Sequence, residues 1–160
     1  MQQAIEEARA DFEQTTDQLL QNFAKIPEDK VAWSPAPTAR TPVQIVAHCA
    51  ESVGHLTEMM KGSPFQPSTT AEAERAFREN EKAFITRESA LKAYQAKSRA
   101  FLGFLENVKA EDLDRPVTLP FGMGEAPLRL MITMPAVHTR SHVPQLEYIQ
   151  TILGDRTWLI

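Results

Sequence analysis

The residues of this chain best suited to chemistry are its four histidines, which fall in only two segments. His138 and His142 are four residues apart, so a helix would place both rings on one face with Cβ atoms about 5–6 Å apart. Two such imidazoles can bind one divalent metal ion through bonds of about 2.0–2.1 Å. His48 lies in a second segment that also has helical periodicity. One interpretation is a metal site. The other is a set of core histidines bonded to neighbours such as Ser52, Ser141 or Gln145.

Three other residues near His48 carry reactive groups. His55 follows it by two helical turns, about 10.5 Å along the axis, which is too far for both rings to bind one ion. Cys49 points about 100° away around the helix and is typical of a buried structural cysteine. Glu51 is one turn from His48. It is a candidate hydrogen-bond acceptor or catalytic base, with a surface ion pair as the alternative.

The motifs and the composition of the sequence argue against several functional classes. Residues 139–141 contain no glutamate, so the metalloprotease motif with its internal base is absent, and Gly122 and Gly124 lack the third glycine of a dinucleotide-binding turn. A net charge of −4 argues against a nucleic-acid binder. No apolar run of about 18 residues suggests a membrane span, and no signal peptide is visible. A single cysteine favours a reducing, cytoplasmic setting.

Apolar periodicity predicts two helices in the first part of the chain. Residues 2–26 carry apolar side chains at steps of three and four, which is one stripe of an amphipathic helix. A second helix is predicted over residues 42–61. Thr41 is placed as its N-cap, Pro42 at its first position and Gln44 as the partner in a capping box.

The middle of the chain predicts two further helices. Thr69 opens a short charged helix over residues 70–82, whose acidic side chains at 72–81 are expected to face solvent. Thr86 restarts a longer helix with Tyr94 and Phe101 on its apolar face, so we expect a break near Ile85.

The last third begins with an irregular segment. Residues 114–125 alternate apolar and polar side chains around two glycines, which predicts a small hairpin. The last helix is predicted over residues 126–153, with bends at Pro135 and Pro144 inside it. Its inward stripe is expected to contain Met131, Met134, His138, His142, Gln145, Ile149 and Ile152.

These elements predict an all-α fold. A chain of 160 residues is the size of one domain, residues 1–160, and buries about two thirds of its unfolded surface. Four long amphipathic helices without a substantial sheet indicate a four-helix bundle, with a short extra helix and a hairpin before the last helix. Bundle cores are common places for metal sites built from facing helices.

The histidine segments resemble those of a known family. The run Thr41-Pro-Val-Gln-Ile-Val-Ala-His48, the run His138-Thr-Arg-Ser-His142-Val-Pro-Gln145-Leu146 and the Trp33-Ser-Pro35 loop together look like the DinB-like superfamily. The resemblance implies a four-helix bundle with up-down-down-up connectivity. It also implies a divalent metal held by His48, His138 and His142. Many members carry Gly where Pro144 follows the last ligand, which puts the orientation of His142 in question.

The resemblance also implies a range of activities. Relatives include thiol-dependent transferases and isomerases, which suggests a metal-dependent S-transferase or hydrolase acting on a small molecule, with a low-molecular-weight thiol as partner. The alternative is a non-catalytic, stress-related bundle that binds a small ligand or metal. Zn, Ni, Co and Fe(II) all suit three imidazoles. If the three rings bind one ion, their ligating nitrogens should lie about 3–3.5 Å apart, and the second nitrogen of each ring should make a hydrogen bond. The affinity for the metal should decrease when the pH drops below about 6.5, because protons then compete for the rings.

A homodimer is also expected. Relatives in the family are often dimeric. Apolar side chains lie off the main helical stripes, and they would expose apolar surface in a monomer. They are Leu20, Phe84, Leu102 and Phe104.

Overall fold

The computed structural model describes residues 2–157 and is mostly helical. Four long helices dominate, and shorter elements connect them. In chain order the elements are α1 (Gln2–Lys25), α2 (Pro42–Met60), α3 (Thr70–Glu81), α4 (Arg87–Asn107), β1 (Pro116–Thr118), β2 (Glu125–Pro127), α5 (Leu128–Met131) and α6 (Met134–Ile152).

The long helices pack as a bundle, which confirms the predicted all-α fold. Helix α2 lies against both α4 and α6, and α1 lies against α6. The apolar stripes of the four helices meet in one buried cluster, whose largest fully buried side chains include Phe12, Phe23, Tyr94, Phe101 and Leu146. The up-down-down-up order of helix directions stays a prediction.

Side-chain caps fix where the helices begin. The backbone N–H of Gln44 donates to Thr41 Oγ1 (3.3 Å), and the backbone N–H of Thr41 donates to Gln44 Oε1 (3.0 Å), with Pro42 in the first turn. This confirms the predicted capping box, which sets the start of α2 two turns before His48. Thr86 caps α4 in the same way, and the predicted break near Ile85 is present, between the end of α3 at Glu81 and the start of α4 at Arg87.

The predicted hairpin is also confirmed. Strands β1 and β2 pair antiparallel, with Val117 opposite Ala126. The turn between them has positive φ at Phe121 (57°), Gly122 (70°) and Gly124 (89°). The two glycines adopt this left-handed conformation without the steric cost that a side chain brings.

The predicted start of the last helix is wrong. Ala126 belongs to β2, and α6 begins only at Met134, after the single turn α5. Pairing with β1 holds residues 125–127 extended, so they are not available to a helix. Pro135 therefore lies in the first turn of α6, where no backbone hydrogen bond is lost, and only Pro144 is interior.

The inward face of α6 also differs from the predicted stripe. Gln145 is exposed and Ile152 is 45% exposed. The buried positions include Ala136, Thr139 and Leu146. The face is therefore rotated from the prediction, and His138 lies half-buried at its edge.

The side chains that suggested a dimer are partly covered within one chain. Leu20, Leu102 and Phe104 are half-buried against the core, and Phe84 is half-buried as well. The homodimer stays a prediction, without support from these four residues. Within residues 2–157, no helix combines the length and hydropathy needed to cross a bilayer.

The buried phenol of Tyr94 gives a testable pH dependence. Burial raises its pKa to about 12, although a 3.0 Å hydrogen bond shared with Thr16 opposes the shift. The folded chain therefore holds this proton more tightly than the unfolded chain, whose tyrosine pKa is about 10. The contribution of this group to the free energy of unfolding is therefore fully present below about pH 10. It decreases by up to about 3 kcal/mol as the pH rises towards 12.

We expect Tyr94→Phe to lose about 1 kcal/mol at pH 7 and then to lose less stability than the parent between pH 10 and 12. Urea unfolding at a series of pH values measures both effects. Tyr148→Phe, which removes the hydroxyl of a 68% exposed side chain, is the control. Equal alkaline slopes for the parent and Tyr94→Phe would contradict the prediction.

Candidate metal centre

The three histidines predicted as ligands meet at one point. His48 comes from α2, and His138 and His142 come from consecutive turns of α6. One ligand atom from each ring lies within 4.8 Å of the others. The Nε2 atoms of His48 and His138 are 3.3 Å apart, within the predicted range of about 3–3.5 Å for two nitrogens on one ion. The three rings converge, and the predicted nitrogen spacing is met for the pair of His48 and His138, whereas the ligand atom of His142 lies within 4.8 Å of both.

Two of the rings are oriented by a hydrogen bond at Nδ1. His48 Nδ1 lies 3.0 Å from Glu81 Oε1, and His142 Nδ1 lies 3.0 Å from Gln145 Oε1. Both partners are oxygen acceptors, so we assign the proton of each neutral ring to Nδ1. The lone pair then lies on Nε2, as a metal ligand requires. The prediction that each second nitrogen is bonded holds for these two rings.

Glu81 is the functional residue that the sequence analysis missed. It was expected on a solvated helix face, but it is fully buried, and Arg40 Nε donates to both of its oxygens at 2.9 and 2.8 Å. Its position on α3 offered a signal. Ala73, Phe77 and Glu81 recur at steps of four, which places the carboxylate on the apolar face of that helix.

The surroundings of His138 and His142 disfavour the doubly protonated, charged form of each ring. Burial is the main reason that the pKa of His138 falls to about 3, and the adjacent His142 and His48 add to the shift. Burial likewise lowers the pKa of His142. Competition by protons at His138 therefore begins well below the value near 6.5 expected from the sequence.

The pKa of Glu81 is lowered, so this carboxylate is ionised at neutral pH. Burial alone would raise it, but the hydrogen bonds from His48 and Arg40 outweigh that effect. A buried anion beside His48 Nδ1 makes the ring a stronger electron donor through Nε2.

Glu51 and Cys49 lie outside the cluster of three histidines. The hydrogen-bond acceptor beside His48, a role considered for Glu51, is Glu81. Glu51 Oε2 is buried without a hydrogen-bond partner in the described part of the chain, and burial raises the pKa of this carboxyl group. Its role as a catalytic base stays a prediction. Cys49 is fully buried, as expected, and burial raises the pKa of its thiol.

Aromatic side chains lie next to the cluster of three histidines, near His55. The exposed His55 ring meets Phe65 and Phe77 edge-on, at centroid distances of 5.2 and 5.5 Å. Phe77 in turn lies 4.8 Å from the ring of His48. This confirms the interpretation of His55 as a neighbour of the site rather than a member of the cluster.

The donor set fits a divalent metal ion. Three neutral imidazoles suit borderline metals such as Zn, Ni, Co and Fe(II), and a three-histidine shell leaves coordination positions for another ligand. Pro144 does not turn His142 away, since α6 is helical throughout and Gln145 holds the ring in the cluster. The cluster can therefore hold a metal ion.

Comparisons with known proteins agree with this architecture. The family profile described as the DinB superfamily matches residues 11–146. No match was found among curated protein sequences.

Three solved structures share the fold. A DinB-like protein from Bacillus subtilis has 16% sequence identity and a TM-score of 0.68, with 96% of each chain covered. A protein from Streptococcus pneumoniae has 14% identity and a TM-score of 0.68, with 91% of each chain covered. An uncharacterised protein from Clostridium difficile 630 has 12% identity and a TM-score of 0.70, covering 91% of this chain and 96% of that one. Because the family profile spans most of the sequence, the chain belongs to the DinB superfamily.

Proposed function

We propose that the protein is a divalent-metal-dependent enzyme, a thiol-dependent S-transferase or a hydrolase, that acts on a small molecule at the three-histidine cluster. The observation that supports this most directly is the orientation of the rings. Nδ1 of His48 and Nδ1 of His142 each lie 3.0 Å from a side-chain oxygen, which leaves Nε2 of these rings for a ligand, and the Nε2 atoms of His48 and His138 lie 3.3 Å apart.

His48, His138 and His142 would hold the ion. An ion such as Zn, Ni, Co or Fe(II) supplies Lewis acidity towards a thiol, a water molecule or a carbonyl oxygen. Glu81 and Gln145 keep two rings in the ligating tautomer, and Arg40 keeps Glu81 ionised and in place. Phe77 covers one side of His48 with an apolar surface, which limits the approach of water.

Activity on metal-loaded protein tests the proposal. We expect turnover of small electrophiles with a panel of low-molecular-weight thiols, or hydrolysis without a thiol. The turnover should depend on added metal and should fall at least about 100-fold in His142→Ala. The control is His55→Ala, which removes an imidazole outside the cluster.

The alternative is a bundle that binds a metal or small ligand without catalysis. Stoichiometric metal binding with no metal-dependent turnover across the panel would contradict the enzyme and support this alternative. Turnover that is equal in the parent and in His142→Ala would contradict the assignment of the site.

A further inference from the structure

A cavity of about 470 Å³ lies beside the histidine cluster, on the side of the residues that orient its rings. No histidine lines it. Arg40, which holds Glu81, and Gln145, which holds His142, both do, together with Arg78 and Tyr148. A volume of this size is typical of small-molecule sites, which fall between about 300 and 1,000 Å³.

The two arginines are fixed in place but still have a free donor. Arg40 uses Nε for Glu81 and Nη2 for Glu74 (3.1 Å). Arg78 uses Nε for Glu74 (2.7 Å) and Nη2 for the backbone carbonyl of Thr38 (3.0 Å). Within residues 2–157, Nη1 of neither guanidinium makes a hydrogen bond. Each guanidinium group is thus held by these partners, so it can donate from Nη1 to a ligand without a further loss of side-chain entropy.

The remaining polar groups of the cavity also have capacity to donate. The amide nitrogen of Gln145 makes no hydrogen bond within the described residues, because only its oxygen is engaged, by His142. The hydroxyl group of Tyr148 is likewise without a partner in that part of the chain, and its side chain is 68% exposed. The two acidic side chains nearby, Glu74 and Glu81, already form ion pairs with the arginines.

Apolar side chains form the rest of the lining. Ile45, Pro144 and Ile149 contribute carbon surface to the lining. Free N–H and O–H donors beside carbon surface match a ligand that has an anionic head and an apolar body. A planar carboxylate accepts hydrogen bonds from guanidinium groups in a well-defined geometry.

We propose that this cavity binds a small organic carboxylate. Its oxygens accept from Nη1 of Arg78 and Arg40 and from the Gln145 amide, and its apolar body lies against Ile45, Pro144 and Ile149. The site is separate from the histidine cluster, and it does not depend on the proposed enzyme activity.

Isothermal titration of EDTA-treated protein with benzoate tests the proposal, with neutral benzamide as the matched ligand. We expect saturable benzoate binding with a Kd of about 1 mM or lower, and benzamide binding at least about tenfold weaker. Arg78→Gln should weaken benzoate binding about tenfold. Arg78 pairs with the exposed Glu74, so this variant should retain the parent's fold, which thermal unfolding checks.

Arg75→Gln is the control variant, because it removes a positive charge from the same helix at a residue that does not line the cavity. Unchanged binding in Arg75→Gln together with weaker binding in Arg78→Gln supports the site. Equal binding of benzoate and benzamide, or equal binding by Arg78→Gln and the parent, would overturn it. Benzoate binding that appears only after metal loading would place the carboxylate at the histidine cluster instead and would also overturn it.

Discussion

Replacing His138 with alanine is expected to weaken the binding of Zn²⁺ at least about 100-fold. The ring supplies one of three nitrogen donors, and its Nε2 atom lies 3.3 Å from that of His48. Changing a group that merely orients a ligand typically costs 10–100-fold in metal affinity, so removing a ligand should cost at least that much. Competition with a chromophoric chelator at pH 7 measures the loss.

Two controls make this result specific. His55→Ala removes an imidazole close to the cluster but outside it, and should bind Zn²⁺ with the affinity of the parent. His138 is half-buried at the edge of the inward face of α6, and within residues 2–157 its ring lies within hydrogen-bond distance of one other side chain, His48, so the metal-free variant should remain helical. Equal Zn²⁺ affinities for His138→Ala and the parent would show that the three rings do not form a metal site.

The features that could be predicted from the sequence are those set by local rules. The capping box at Thr41 and the helix start at Thr86 depend on residues within four positions of each other. The i, i+4 spacing of His138 and His142 fixes their shared face in the same way. The spacing alone left core histidines as an alternative, and the family resemblance implied that His48 joins the other two rings at one metal ion.

The features that could not be predicted depend on contacts between distant parts of the chain. Ala126 and Pro127 were predicted to belong to the last helix, but pairing with β1 holds them extended. Glu81 lies on the apolar face of α3, but its burial also requires the pairing with Arg40, 41 residues earlier, which the sequence around it does not indicate. Neither partner can be identified from its own sequence neighbourhood.

Replacing Glu81 with alanine is expected to destabilise the metal-free protein by about 3–5 kcal/mol. The side chain is fully buried, and the Arg40 side chain is only 13% exposed. Removal of the carboxylate therefore leaves a guanidinium that is largely out of water and keeps only Glu74, which is 51% exposed, as an ionic partner. For a chain of this length the change corresponds to a fall in Tm of roughly 6–20 °C, measured by thermal unfolding in EDTA.

The matched control is Glu79→Ala on the same helix. Glu79 pairs with Lys82, and both side chains are about two-thirds exposed (70% and 67%), so its removal should cost about 0–1 kcal/mol. If Glu81→Ala and Glu79→Ala unfold at the same temperature, the buried pair of Glu81 and Arg40 does not contribute to stability as the structure indicates.

A second variant separates the charge from the packing. If the cost of Glu81→Ala arises from the buried guanidinium that has lost its main partner, then replacing both members, Arg40→Met with Glu81→Leu, should restore much of the lost stability, because neither charge of the buried pair remains. The double variant should still bind Zn²⁺ about 10–100-fold more weakly than the parent, since His48 Nδ1 has lost its acceptor. Recovery of stability without recovery of metal affinity would assign two distinct effects to Glu81. One is electrostatic compensation of Arg40, and the other is orientation of the His48 ring.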